Sequence, residues 1–416
     1  MAIEFDPFRD TQGPDPYPVY RRLRDDAPVH HSPDRDVYCV SRHEDVMAVL
    51  KDHDSFSSTA MKSVLMSADM GGFGPRALLS LVRFFWKVRT SPFRLRNADN
   101  LVSTDPPRHD ALRQIVARGF TPRRIASWEP RARAIVSEQL RDLERNTHFD
   151  VIRDLAIPLP TRLIAELLGV EPERRDEFKH WSDAVIAVAS GSGRDAPLDS
   201  ALLESIGDLF AYLRQVIARR RRSPGDDLVS VLVEPTREGA LDELEVVQFV
   251  VLLLVAGNET TTNLIGNVVH ALLDRPDVVE RVSGDPALVP ALVEEGLRFD
   301  SPIQVLFRET TRDVEIAGTA IPKGAVVAPL LGSANRDERR YASPEVFDLD
   351  RDTAGHVAFG FGVHFCLGAA LARLEARVAL EALVPELPRF KRSGSTPDLI
   401  DSFVVRGRTS LPLEAA

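Results

Sequence analysis

The 416-residue sequence predicts a mainly α-helical fold with a few small β-sheets. Three observations carry that prediction. Helical periodicity runs with few interruptions from Pro107 to about Leu273. Within it, the stretch from about Asp242 to Leu273 is apolar nearly all round in its first half, the pattern of a buried central helix. Strand-like runs are short and few.

Taken in order, Tyr17–Asp26 reads as a helix, Val37–Val40 has strand composition, and His43–Leu50 is helical in pattern. Residues 56–103 read as irregular, with Gly71, Gly72, Gly74, Pro75 and Pro92 as breakers. Such a length is unusual for a plain connection, so a functional loop is expected. The helical region from Pro107 breaks near Pro158–Pro160, Gly191–Pro197, Ser223–Gly225 and Glu234–Gly239, and the central helix stops before Pro276. A further helix is expected over 287–299, then strands around Val314–Ile316 and Ala325–Pro329. A turn-rich stretch from Asn335 to Gly362 leads into a last long helix, Leu367–Leu383. No internal repeat or low-complexity run is present. The chain reads as one domain, with a smaller β-containing part at about 1–60 packed on a large helical part.

Composition narrows the function classes. A chain of this size buries roughly three quarters of its extended surface, enough to enclose a ligand. Hydrophobic residues at 44% and charged residues at 27% exclude disordered, collagen-like and coiled-coil classes. The formal net charge of −10 argues against a nucleic-acid partner, which needs a positive field. Two cysteines, Cys39 and Cys366, exclude a disulfide framework and suit a reduced cytoplasmic setting. The N-terminus lacks the basic start and apolar core of a signal peptide. The most apolar run, Val246–Ala256, is short of the roughly 20 residues that cross a bilayer. A soluble protein with no membrane span is expected.

The most informative segment is Phe359-Gly-Phe-Gly-Val-His-Phe-Cys366-Leu-Gly368. A turn containing Gly360 and Gly362 presents a cysteine just before a helix, whose first N–H groups and positive end favour a thiolate. Small residues at 360, 362 and 368 let a large flat partner approach the backbone. Phe359, Gly362, Cys366 and Gly368 fit F-x-x-G-x-x-x-C-x-G, and on these residues the chain resembles the cytochrome P-450 family. The resemblance extends over most of the chain. Glu295-Gly-Leu-Arg298 is similar to the family's E-x-x-R, and Ala256-Gly-Asn-Glu-Thr-Thr261 to its A-G-x-[DE]-T-[TS]. Asn335-Arg-Asp337 and Phe347-Asp348 resemble its turn-rich meander, with Glu338 where a proline often follows N-R-D. The F-G-x-G-x-H-x-C-x-G-x-x-L-A-R pattern from Phe359 to Arg373 looks like that of the bacterial class.

The resemblance implies a single haem domain without a fused reductase, with haem b between the central helix and the cysteine-loop helix. Cys366 is then the axial ligand of the haem iron, because thiolate donation favours O–O cleavage where histidine would not. Cys39 is expected to be inert packing. The haem propionates call for cations: His109 and Arg113, four apart on one helical face, with Arg308 and His364 at the other family positions. Phe359, Gly362, Gly368 and Ala256 are expected to shape the haem's surroundings, the Ala256-Gly257 pair giving close approach and room for dioxygen. Glu295 and Arg298 form a structural pair with no catalytic step. Cleavage of O2 needs two protons delivered in order; Thr260 is expected to orient water and donate a hydrogen bond, and Glu259 to relay protons from solvent.

The substrate walls implied are Phe84, Phe85, Leu252, Val255, Ile303, Gln304, Val305, Val404 and Val405, mostly apolar, with Gln304 as one polar anchor. Residues 61–100 carry seven basic side chains (Lys62, Arg76, Arg83, Lys87, Arg89, Arg94, Arg96) against Asp69 and Asp99, with Phe84, Phe85, Trp86 and Phe93 interleaved. This reads as an amphipathic helix with its aromatics turned inward, or as a mouth attracting an anionic amphiphile, or as a membrane-surface element. Gly191–Pro197 corresponds to the family's mobile lid. Arg113, Arg118, Arg123 and Arg124 mark the face expected to receive electrons from an acidic ferredoxin. The function implied is that of a monomeric monooxygenase inserting one atom of O2 into a small hydrophobic or amphiphilic molecule, most often by C–H hydroxylation. Its electrons come from NAD(P)H through a ferredoxin reductase and ferredoxin. A peroxide-driven peroxygenase and a non-catalytic haem-thiolate sensor or carrier are the competing readings. Steroid, terpenoid, fatty acid, aromatic acid and macrolide substrates stay open.

Overall fold

Strand-forming residues from distant parts of the chain meet in one sheet. The computed structural model describes residues 3–61, 75–97, 99–141, 143, 148–189, 200–236, 239, 241–394 and 398–416. In it, five strands lie in the spatial order Val29–Ser32, Val37–Val40, Val326–Pro329, Arg308–Thr310, Phe56–Ser57. Val37–Val40 runs parallel to Val326–Pro329, with Cys39 opposite Ala328, and the other pairs are antiparallel. The β-branched residues Val40 and Val327 turn into a core with Val46, Val49, Leu50 and Leu331. Cys39 is wholly buried in this sheet, and burial pushes its thiol well above the usual range, as suits an inert packing residue. A three-stranded sheet places Pro412–Ala415 between His148–Asp150 and Phe390–Arg392, and Val314–Ile316 pairs with Thr319–Ile321.

Two units divide the chain: Met1–Met61 with Ile125–Leu159 and Thr260–Ala416, and Lys62–Arg124 with Pro160–Glu259. All of these strands fall in the first unit. The second is helical among its described residues, apart from an isolated bridge between Thr236 and Gly239, and its Ser200–Arg222 helix packs on Pro75–Val88 and Arg175–Ala189.

The central helix, Glu243–Leu272, begins with a reciprocal cap: the Asp242 carboxylate accepts from the Glu245 N–H and the Glu245 carboxylate from the Asp242 N–H. By length and composition the helix could span a bilayer. Three of its buried polar side chains bond to protein: Asn258 donates to Thr161 Oγ1 at 2.8 Å, Thr262 to the Ala156 carbonyl at 2.9 Å, and Asn267 to the Asp300 and Arg406 carbonyls. That is how an interior helix satisfies itself.

The helices expected at Tyr17–Asp26 and over 287–299 form, the latter as Val289–Phe299 after a short turn, and the last long helix is Ala369–Leu383. Residues 56–103 depart from expectation: Pro75–Val88 and Pro92–Asn97 are helical. Each begins at a proline, which breaks a helix from inside but starts one at its first position. Pro158 likewise opens the Pro158–Leu167 helix rather than interrupting one. Gly191–Pro197 lies outside the described residues.

Candidate active site

Between Phe361 and Gly368 the backbone is shaped to present one sulfur. Gly360 and Gly362 both adopt left-handed φ values, 69° and 70°. At Gly362 a Cβ would stand 2.8 Å from the Leu50 carbonyl oxygen, so the loop lies directly on the end of the His43–Lys51 helix. The Cys366 N–H donates to the Phe359 carbonyl at 2.9 Å, which fixes the side chain two residues ahead of Gly368, the cap of the 15-residue Ala369–Leu383 helix. Cys366 is half-buried, and a methyl group on Gly368 would lie 4.0 Å from its Sγ. A half-exposed thiol at a helix N-terminus, flanked by glycine, has the donor chemistry and clearance for an iron-bearing planar group. These residues fit haem b.

The loop is braced from both sides. His364 Nε2 lies 2.9 Å from Ser58 Oγ. The Arg373 guanidinium sits 4.5 Å over the Phe359 ring and donates to Glu294 at 2.9 Å. Burial alone would raise the Glu294 carboxyl, yet hydrogen bonds from Arg373 and His356 hold it down at about 2. Ser58 and Glu294 were not anticipated. Ser58 has no local signal, whereas Arg373 is the arginine of the L-A-R pattern after the cysteine.

Glu295 and Arg298 are both 0% exposed and paired at 2.7 Å through both carboxylate oxygens. Arg298 also donates to the carbonyls of Asn335, Pro344 and Val346, while the Asp348 N–H donates to Glu295. The pair thereby anchors the turn-rich stretch that leads to the cysteine. Asn335 extends the anchorage, donating to Ser301 and accepting from the Val357 N–H, each at 2.7 Å. Arg336 is held between the Tyr17 and Phe299 rings, 3.7 Å from each centroid. Asp337 accepts from the His43 N–H at 2.8 Å. Glu338, standing where the family often has proline, accepts from the buried Arg24 at 2.9 Å.

On the central helix, Leu252, Val255, Ala256, Glu259 and Thr260 form an accessible stripe between the buried Leu254, Asn258 and Thr261. Spacings of three and four residues put them on one face. Ala256 is the most open of the five, being exposed where the others are half-buried. Gly257 corrects the expectation of an Ala-Gly pair facing a ligand: a Cβ there would meet Ile164 Cδ1 at 3.1 Å, so its smallness serves packing with the Pro158–Leu167 helix.

Arg308 is buried in its strand and donates to the Phe307 carbonyl at 2.9 Å. In the other unit His109 is wholly buried on the Arg108–Ala117 helix, its Nδ1 3.0 Å from Asp110, and Arg113 is half-buried one turn later. Among the wall residues, Ile303 bridges to Val405 and the Gln304 N–H donates to the Val404 carbonyl, so two segments a hundred residues apart form one apolar edge. Gln304 itself corrects the sequence reading. Its amide donates to the Ser301 carbonyl at 2.8 Å and accepts from Tyr20 at 3.2 Å, and its side chain packs on Gly332, whose missing Cβ makes the room. It anchors the core, not a substrate. Val305, 0% exposed and bridged to Leu330, is core as well. Phe84 and Phe85 are half-buried, their rings 5.2 Å apart, with Phe84 edge-on to Phe210. Of the arginines expected on the electron-receiving face, Arg118 and Arg124 are paired with Glu234 and Asp226, while Arg123 is exposed.

A family model described as cytochrome P-450 matches residues 287–408. Cytochrome P-450 107B1 of Saccharopolyspora erythraea is 37% identical over 412 residues, covering 98% of this chain and 96% of that one. The structure of cytochrome P-450 CYP109Q5 from Chondromyces apiculatus superposes with a TM-score of 0.83 at 39% identity, over 98% of this chain and 97% of that chain. CYP109E1 from Bacillus megaterium, solved in complex with testosterone, gives a TM-score of 0.82 at 34% identity over 96% and 99% of the two chains.

Proposed function

The chain belongs to the cytochrome P-450 family of haem-thiolate monooxygenases, and from that membership we propose that it hydroxylates a C–H bond of a hydrophobic, steroid-sized molecule. The overall balance is substrate, O2, NAD(P)H and a proton giving hydroxylated product, water and NAD(P)+. Electrons pass through a ferredoxin reductase and a ferredoxin, and the enzyme works as a monomer in the cytoplasm. The observation that carries this reading is the Cys366 loop, with its half-exposed sulfur at a helix N-terminus in a chain alike to P-450 enzymes over nearly its whole length.

Bound haem supplies the iron at which dioxygen is reduced, with thiolate donation favouring O–O cleavage. Cys366 provides the thiolate, which the Phe359–Gly368 loop holds at the start of its helix. Thr260 orients water on the accessible stripe of the central helix and donates a hydrogen bond toward the reacting oxygen. Glu259, one residue earlier and half-exposed, passes protons to it. His109, Arg113, Arg308 and His364 neutralise the haem propionates. Leu252, Val255, Ile303, Val404 and Val405 receive the substrate by shape. Apolar character is supported by the edge formed by Ile303 with Val405, and steroid size by the testosterone complex of CYP109E1.

The test is turnover of the holoenzyme with a steroid panel, after a screen for Soret shifts on binding. Product formed with NAD(P)H, reductase and ferredoxin, at rates well above those with hydrogen peroxide, supports the proposal. Faster turnover with peroxide alone makes the protein a peroxygenase. Binding without product under either supply makes it a sensor or carrier.

A further inference from the structure

Outside the proposed haem and substrate residues, the Pro75–Val88 helix displays a surface that the monooxygenase reaction does not explain. Its inner face packs on the Ser200–Arg222 helix: Phe84 lies edge-on to Phe210, Val88 is buried, and the Lys87 stem covers Gly207 while its ammonium pairs with Asp208. Its outer face carries Val82, Arg83 and Trp86, at helical spacings that place them together, and the exposed Arg89 follows directly after the helix end. Val82 is 59% exposed and Trp86 83%; Phe93, at the start of the next short helix, is 76% exposed. These values overturn, for Trp86 and Phe93, the expectation that the aromatics turn inward, while Phe84 packs inward on Phe210. Large apolar side chains so open to water, with Val82 and Trp86 one helical turn apart, mark an interaction surface.

Charge identifies the occupant. Between Asp69 and Asp99 the sequence has six basic residues and no acidic one, in a chain of net charge −10. Lys87 and Arg94 are paired, with Asp208 and Asp242, but Arg83 and Arg89 have no carboxylate partner among the described residues. Arg89 also holds a left-handed φ of 49°, a helix-ending conformation that glycine adopts more easily, so a cation stands there against local backbone preference. A second copy of the chain fits poorly, because an isologous contact would set these arginines against themselves. An acidic protein such as a ferredoxin would answer the cations alone, whereas this face also exposes Trp86 and Phe93. Trp and Phe beside unpaired arginines on a helix surface is the composition of an interfacial lipid contact.

We propose that this face, Val82, Arg83, Trp86 and Arg89 with Phe93, docks the enzyme reversibly on an anionic phospholipid surface. Trp86 and Phe93 enter the headgroup boundary, and Arg83 and Arg89 pair with lipid phosphates. Phe84 and Phe85 occupy the same turns of the helix on its half-buried side, next to this contact, so a lipophilic substrate could be taken up from the bilayer without crossing bulk water.

The experiment is co-sedimentation of the holoenzyme with sucrose-loaded vesicles of phosphatidylcholine alone or mixed with phosphatidylglycerol, followed by quenching of tryptophan fluorescence with brominated lipid. Expected are pelleting only with phosphatidylglycerol, loss at high salt, and quenching that disappears in Trp86→Phe. Arg83→Gln and Arg89→Gln should each weaken partitioning about five-fold, and Trp86→Ser with Phe93→Ser should abolish it, with melting temperature and Soret spectrum retained. No pelleting, equal pelleting with neutral vesicles, or unaltered binding by the arginine variants would overturn the proposal. So would sedimentation velocity showing a dimer that Trp86→Ser dissolves in the absence of lipid binding, since the face would then belong to a second copy.

Discussion

Arg298, itself wholly buried, ties its own helix to two later segments of the chain. Its guanidinium bonds the Glu295 carboxylate and the carbonyls of Asn335, Pro344 and Val346. Lysine keeps the charge but lacks the planar fork that reaches all of them. Arg298→Lys should therefore keep the ion pair but leave buried carbonyl acceptors unsatisfied, lowering stability by about 1–3 kcal/mol for each, read as a drop in the urea midpoint and poor retention of haem. Unchanged stability would mean the planar fork is replaceable. Thr260 poses the opposite kind of question, since it is half-exposed on the helix stripe and its removal leaves the core intact. For Thr260→Ala we expect continued NAD(P)H consumption released as hydrogen peroxide. Product should fall about a hundredfold, the lower end of what positioned proton transfer contributes. Full coupling in that variant would remove Thr260 from proton delivery.

At the scale of elements, the cysteine loop depends on contact with the His43–Lys51 helix more than on its own residues. Gly362 combines a φ of 70° with a Cβ position 2.8 Å from the Leu50 carbonyl, so Gly362→Ala adds left-handed strain of about 1–2 kcal/mol to a backbone clash. A lower melting temperature and a smaller fraction of protein giving the red-shifted carbon monoxide spectrum are expected. An unaffected variant would show that the loop can shift without losing its ligand. Gly360 also has a left-handed φ but no clash, its nearest neighbour being the His364 carbonyl at 3.7 Å, so the same substitution there tests strain alone. Glu338 shows the reverse dependence: where proline would hold the turn through its backbone, this chain uses an ion pair to Arg24.

For the whole molecule, the buried Glu375 makes stability depend on pH. It is 2% exposed on the Ala369–Leu383 helix, and burial pushes its carboxyl up to about 8. Because this lies above the unfolded value of about 4.3, the folded state binds the extra proton across that interval. Its stability contribution is full below the unfolded pKa and is lost as pH rises toward 8. Glu375→Gln should hold its melting temperature between pH 5 and 9 more evenly than the parent enzyme, and parallel curves would place the ionisation elsewhere. Much of this architecture was legible beforehand. The Tyr17–Asp26 helix, the central helix and the Cys366 loop are encoded by periodicity, capping residues and spacing, all of which act within a few turns of chain. What stayed hidden joins segments far apart in sequence. The strands Arg308–Thr310 and Pro412–Ala415 are three and four residues long, too short for alternation to show, and acquire their identity from partners elsewhere. Gln304 and Val305 looked like pocket walls until Tyr20, Gly332 and Leu330 enclosed them. Arg118 and Arg124 are joined by Glu234 and Asp226, partners more than a hundred residues away. The sequence alone determined the helical framework, the ligand-bearing cysteine and the family chemistry, because each rests on residues close together along the chain. Only the tertiary structure decided which side chains face inward and which charges remain unpaired, because burial and pairing depend on neighbours that no local pattern specifies.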